Sequence, residues 1–64
     1  MTPTAAELSS MGATVEDLTR RLRVIADSYQ AADREDLVAE VHEVERALEG
    51  AGRRIRRLVT AEAT

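Results

Sequence analysis

Apolar residues recur at Leu8, Met11, Val15, Leu18, Leu22, Ile25, Tyr29 and Ala32, in alternating steps of three and four. Held over more than three heptads, that spacing places one stripe along a single side of an α-helix. A second stripe, Leu37, Val41, Val44, Leu48, Ala51, Ile55 and Leu58, repeats the alternation. The two stripes are out of phase, because an unbroken heptad after Ala32 would bring the charged Asp36 into the seam. The chain is therefore two helical segments, and what happens between Gln30 and Arg34 decides the fold.

A turn at Ala31, Ala32 and Asp33 would make Asp33 the N-cap of a new helix, with Glu35 and Asp36 in its first turn, where carboxylates suit the free N–H groups and the dipole. A single helix with a local stutter is the alternative, since no Gly or Pro marks the join and alanine favours helix. The lengths favour the turn. Helix one covers about residues 3–31, the turn about 32–33 and helix two about 34–61. Folded antiparallel, the arms pair Tyr29 with Leu37, Ile25 with Val41, Leu22 with Val44, Leu18 with Leu48, Val15 with Ala51, Met11 with Ile55 and Leu8 with Leu58. No layer is left empty. Residues 1–64 thus read as a single all-α antiparallel hairpin with heptad-like seams.

The ends carry their own signals. Thr2 followed by Pro3 is an N-cap with proline at the first helical position, where its missing N–H costs nothing. Thr14 with Asp17 three residues on imitates a capping box just after Gly12. Gly50 and Gly52 weaken the second helix by about 1 kcal/mol each relative to alanine. Because the apolar phase survives all three glycines, continuous helices are expected, with a softer open end where Gly12 and Gly52 lie level.

Composition limits what such a hairpin does. Of 64 residues, 44% are apolar, and these include no Phe, Trp or Cys. Alanine dominates them. A chain this short covers only about 60% of its unfolded surface even when compact, and a core without large aromatics is weaker still. A pocket of ~300 Å³ walled by its own residues is beyond its means, which argues against an enzyme. Without cysteine, disulfides and thiolate metal sites are excluded. No run of about 18 apolar residues offers a membrane span. Residues 1–12 lack the basic and apolar regions of a secretory signal, so a cytoplasmic location is expected.

Association is the remedy for the shortage of burial. Gly12, Thr19 and Ala26 flank the first seam, and Val38, Ala47, Val59 and Ala61 flank the second. Small uncharged flanks let another helix approach, as in a four-helix bundle. The expected partner is a second copy, giving a homodimer, or a helical protein. Leu18, Leu22, Ile25, Tyr29, Val41, Val44, Leu48 and Ile55 form the association seam.

The net charge of -3 hides a separation: residues 33–49 carry -5 and residues 50–64 carry +3. Arg20, Arg21 and Arg23 come level with Glu40, Glu43 and Glu45, whereas Arg53, Arg54, Arg56 and Arg57 face only Glu7. This run of four arginines about Ile55 is the expected partner-binding cluster. Guanidiniums match carboxylate and phosphate bidentately, so an acidic protein surface or a nucleic acid would suit it. No aromatic lies nearby to stack on a base, and the acidic stretch repels a nucleic-acid backbone, which leaves nucleic acid second. Catalytic, metal and cofactor sites are not expected. Ser9, Ser10 and Ser28 have no base nearby, and His42 with Glu45 has no second copy of the kind a di-metal bundle needs.

Two resemblances bear on function. The length and the two equal heptad-bearing helices resemble the small dimeric hairpins of the plasmid-encoded Rop RNA-binding kind, a likeness of shape without a shared residue motif. Tyr29-Gln-Ala-Ala-Asp33 is similar to the YxxxD pattern of actinobacterial type VII secretion substrates, helical hairpins whose pattern follows a Trp-x-Gly turn. This chain has no Trp, and its pattern falls at the turn itself. The arginine and alanine bias without lysine is compatible with a GC-rich, actinobacterial-like source. Taken together, these features predict a non-enzymatic helical protein–protein interaction module, an adaptor or regulatory subunit. A nucleic-acid-binding regulator acting through Arg53–Arg57 is the alternative, and a secreted helical hairpin a further one.

Overall fold

In the computed structural model, which describes residues 2–63, the chain forms two α-helices packed against each other, α1 (Pro3–Ala31) and α2 (Glu35–Ala63). No strand occurs among the described residues. The arms run antiparallel, so that the Thr2 hydroxyl donates to the Glu62 carboxylate at 3.1 Å. The Cα atoms occupy a slab of 48 × 14 × 9 Å, one helix thick.

Thr2 caps α1 as its sequence predicts. Its backbone is extended (φ -72°, ψ 158°), its Oγ1 accepts from the Ala5 N–H at 3.0 Å, and Pro3 follows. This satisfies one of the free donors of the first turn. Both helices run unbroken through Gly12, Gly50 and Gly52, and none of these glycines has a positive φ.

The turn departs from expectation in one respect. Asp33 is not the N-cap of α2: it adopts φ 57° in the left-handed region and ends α1. Its N–H donates to the Gln30 carbonyl at 3.1 Å, and the Arg34 N–H donates to the Tyr29 carbonyl at 2.9 Å. Those two bonds form a Schellman motif, which needs a left-handed residue where glycine is usual and Asp or Asn is the next cheapest choice. The Arg34 carbonyl then accepts from Leu37 and Val38 at 3.0 and 3.1 Å, so Arg34 takes the cap position. Accordingly α2 starts at Glu35, one residue later than expected, and it ends at Ala63, two residues later. Arg34 also grips Asp36 with two hydrogen bonds of 3.2 Å. That guanidinium, aided by the Leu37 and Asp36 amides and opposed by slight desolvation, holds the Asp36 carboxyl below its ordinary value. The support it gives the turn is present above the ordinary carboxylate range and is lost as pH falls through the lowered value. Asp33→Gly removes the left-handed penalty and is expected to stabilise the hairpin by up to ~1 kcal/mol, about 4–8 °C in Tm for a chain of this size. Asp33→Val, β-branched, is expected to lower Tm.

The seam itself is rotated from its expected place. The rows that meet are Ala5, Gly12, Thr19 and Ala26 with Leu8, Val15, Leu22 and Tyr29 on α1, and Val38, Glu45, Gly52 and Val59 with Val41, Leu48 and Ile55 on α2. Ala5, Thr19, Ala26, Val41 and Gly52 are its buried members. Val41 is buried and Leu22, Tyr29, Leu48 and Ile55 are half-buried, whereas Leu18, Ile25 and Val44, which the heptad spacing puts in the seam, are exposed, as are Met11 and Leu58. The register moves by one residue, with Gly12 against Ile55 and Gly52 against Val15. Close approach explains the choice. A Cβ on Gly12 would lie 3.6 Å from Ile55 Cγ2, and one on Gly52 would lie 3.7 Å from Val15 Cγ1. A row of Ala, Gly, Thr and Ala lets the backbones come together, whereas a row of Met11, Leu18 and Ile25 would hold them apart. The Thr19 hydroxyl is buried without penalty, because it donates to the Val15 carbonyl at 3.0 Å.

Candidate interaction surfaces

Rotation of the seam gives the hairpin two unlike long edges. Along one, seven-residue rows place Glu16 and Arg23 of α1 opposite Arg56 and Glu49 of α2. Arg23 approaches Glu49 at 3.9 Å, and Arg56 approaches Glu16 at 4.0 Å. Each exposed pair stabilises by no more than ~1 kcal/mol, but together they make this edge polar and closed. Arg23 also reaches Glu45 at 3.7 Å, a carboxylate that occupies a seam position with its side chain only 14% exposed. Glu45 is the one charged residue in the seam rows, where desolvation of its carboxylate opposes its attraction to Arg23. Glu45→Leu is expected to raise the unfolding midpoint by about 1 kcal/mol and to lower the salt dependence of stability. An unchanged or lowered midpoint in a urea titration would show that the ion pair outweighs its desolvation.

The opposite edge is apolar. Met11, Leu18 and Ile25 lie along α1 at seven-residue intervals, and Val44, Ala51 and Leu58 do so along α2. In an antiparallel pair these two flanking rows share one side, so they form a single face about four turns long. The large side chains on it remain 38–52% exposed. Its outer rim alternates charge with small residues: Glu7, Thr14, Arg21 and Ser28 on α1, and Glu40, Ala47, Arg54 and Ala61 on α2. Five large apolar side chains in two aligned rows are a patch, not the scattered exposure common on monomers.

The four arginines of the expected cluster are all exposed, but they do not act as one unit. Arg56 belongs to the polar edge and faces Glu16 at 4.0 Å, so the cluster does not face Glu7 alone. Arg53, Arg54 and Arg57 make no ion pair with another described residue. Together with Arg46, one helical heptad before Arg53, they line a groove of about 560 Å³ over Gly50, where the absence of a side chain opens the outer surface of α2. Arg46 is itself held by Glu43 at 3.2 Å. Lying level with Glu40 and Glu43 does not pair Arg20 and Arg21 across the arms: Arg20 bonds Asp17 on its own helix at 3.2 Å, and of Arg20, Arg21 and Arg23 it is Arg23 that crosses.

No family model, no curated protein and no solved structure matches this chain. What it does must be argued from its surfaces. His42 is exposed beside Val41, and no cluster of three or more His, Asp and Glu able to hold a metal is present among the described residues. Tyr29 lies half-buried one turn from the chain reversal, and its carbonyl accepts the Schellman bond that Asp33 makes possible. Of the two fixed residues of the Tyr-x-x-x-Asp pattern, Asp33 thus has a conformational role in the turn, whereas position 29 contributes its backbone carbonyl, which any residue would offer. Among the described residues, no helix is long and apolar enough to cross a membrane.

Proposed function

We propose that this protein is a non-enzymatic helical interaction module, an adaptor or regulatory subunit, whose working surface is the apolar edge formed by Met11, Leu18, Ile25, Val44 and Leu58. The exposure of that edge carries the reading. Either neighbouring row of α1 could have joined Leu8, Val15, Leu22 and Tyr29 in the seam, yet the row of Ala5, Gly12, Thr19 and Ala26 does so, and Met11, Leu18 and Ile25 are left exposed. A surface of this shape accepts the apolar face of another helix or helix pair, with Arg21 and Arg54 on the rim to engage carboxylates. The test compares the wild-type chain with Leu18→Ser/Ile25→Ser/Leu58→Ser after cross-linking in the native cell. The variant is expected to lose every cross-linked species; identical species from both proteins would refute the assignment of the surface.

A second reading rests on the groove over Gly50. Four guanidiniums from Arg46, Arg53, Arg54 and Arg57 on one helical surface suit phosphates, and a nucleic-acid-binding regulator would use them. Binding of this kind falls with salt, log K against log salt having a slope near -0.9 for each phosphate contacted. Electrophoretic shift at two salt concentrations separates the two readings, and Gly50→Leu, which fills the groove, is expected to weaken only nucleic-acid binding.

A further inference from the structure

We infer that the apolar edge is covered by a second copy of this chain, stacked antiparallel so that the closed end of each hairpin lies over the open end of the other. This inference rests on the interaction reading above and names its partner.

The amount of surface left uncovered points to a second copy. A compact folded chain of 7.0 kDa exposes about 4,000 Å². This one exposes 4764 Å². The excess of roughly 700 Å² approaches the ~800 Å² per partner that a stable interface takes. The same deficit shows in the shape: the radius of gyration is 14.8 Å, against about 11 Å for a compact chain of this length. Domains are built from at least two layers around one core, and a slab 9 Å thick supplies only one. Another slab of the same length and width completes it.

Self-complementarity fixes the orientation. Leu18 and Ala51 lie level at the centre of the edge, Met11 and Leu58 toward the open end, and Ile25 and Val44 toward the closed end. A twofold axis through the centre, perpendicular to the helices, sets Leu18 on Leu18 and Ala51 on Ala51. It also sets Met11 on Ile25 and Leu58 on Val44. Charge then selects this arrangement over one with like ends together. Residues 21–46, the closed end, carry a net -3, while residues 2–14 and 53–63, the open end, carry a net +2. Antiparallel stacking superposes opposite signs along the edge. Parallel stacking puts acid over acid.

Sedimentation equilibrium at micromolar concentration is expected to give about 14 kDa, twice the chain mass, and Leu18→Glu/Leu58→Glu to return it to 7.0 kDa. Because that variant removes apolar burial and can unfold, orientation is read from single cysteines introduced on the otherwise unchanged surface. Leu18→Cys is expected to form a disulfide-linked dimer on mild oxidation, and a mixture of Met11→Cys with Ile25→Cys to form the mixed dimer. Efficient linkage of Leu18→Cys to Ala51→Cys, with no Leu18→Cys homodimer, overturns the antiparallel arrangement. A folded 7.0 kDa species at 100 µM overturns the second copy altogether. In that event the loss of cross-linked species in the triple serine variant still stands or falls separately, so the two failures are distinguishable.

Discussion

Gly12→Leu and Gly52→Leu are each expected to unfold the hairpin or splay its arms, while Gly12→Ala and Gly52→Ala are expected to stabilise it. The opposite signs follow from the geometry of one contact. A methyl group at Gly12 would meet Ile55 at 3.6 Å, and one at Gly52 would meet Val15 and Arg56 at 3.7 Å, ordinary van der Waals separations that require no movement. Alanine is also the better helix former by up to ~1 kcal/mol. A leucine has three further carbons to place where the backbones are closest. Overpacking costs ~1–3 kcal/mol when a core can adjust around it. Here adjustment means separating two helices along their whole seam, against a total stability of only ~3–10 kcal/mol for 64 residues. Urea titration of the four variants reads the result directly. Tolerance of leucine at both positions would mean that the arms do not meet through the glycine row.

Much of this architecture is legible in the sequence. Two heptad stripes out of phase at Asp36 require two helices, and Thr2-Pro3 marks the start of the first. The turn is legible in position but not in kind: Asp33 is a good N-cap and also a residue tolerated in the left-handed region, and residue type alone does not separate the two. The side of the seam is harder. The row of Leu8, Val15, Leu22 and Tyr29 makes a 3–4 alternation with Met11, Leu18 and Ile25 on one side and with Ala5, Gly12, Thr19 and Ala26 on the other. Hydrophobicity favours the first pairing, and close approach favours the second. One signal points to the observed side: Glu16 and Arg23 on α1 and Arg56 and Glu49 on α2 have inverted signs at matching levels only if they share the polar edge. Long-range charge order of this kind is visible in the sequence once both helices are laid antiparallel, whereas the groove over Gly50 depends on Arg46, eleven residues before the end of the arginine run.

The rotated seam has a direct thermodynamic consequence, which separates two leucines four residues apart. Leu22 lies in the seam rows, so Leu22→Ala leaves a gap between the helices and is expected to cost ~2–3 kcal/mol, as is Leu48→Ala in the seam row of α2. Leu18 and Ile25 flank the seam and remain 38% and 42% exposed, so alanine there is expected to cost the hairpin itself less than at Leu22, about 1 kcal/mol. Protein concentration distinguishes the two effects, because a dimer's stability depends on it by mass action and an intrachain contact's does not. The penalty of Leu22→Ala should therefore be the same at low and high protein concentration. That of Leu18→Ala should grow with protein concentration, its larger share lying in the concentration-dependent part of the unfolding midpoint. Equal, concentration-independent losses at both positions would place Leu18 in the intrachain seam and return the hairpin to the pairing of Leu18 with Leu48.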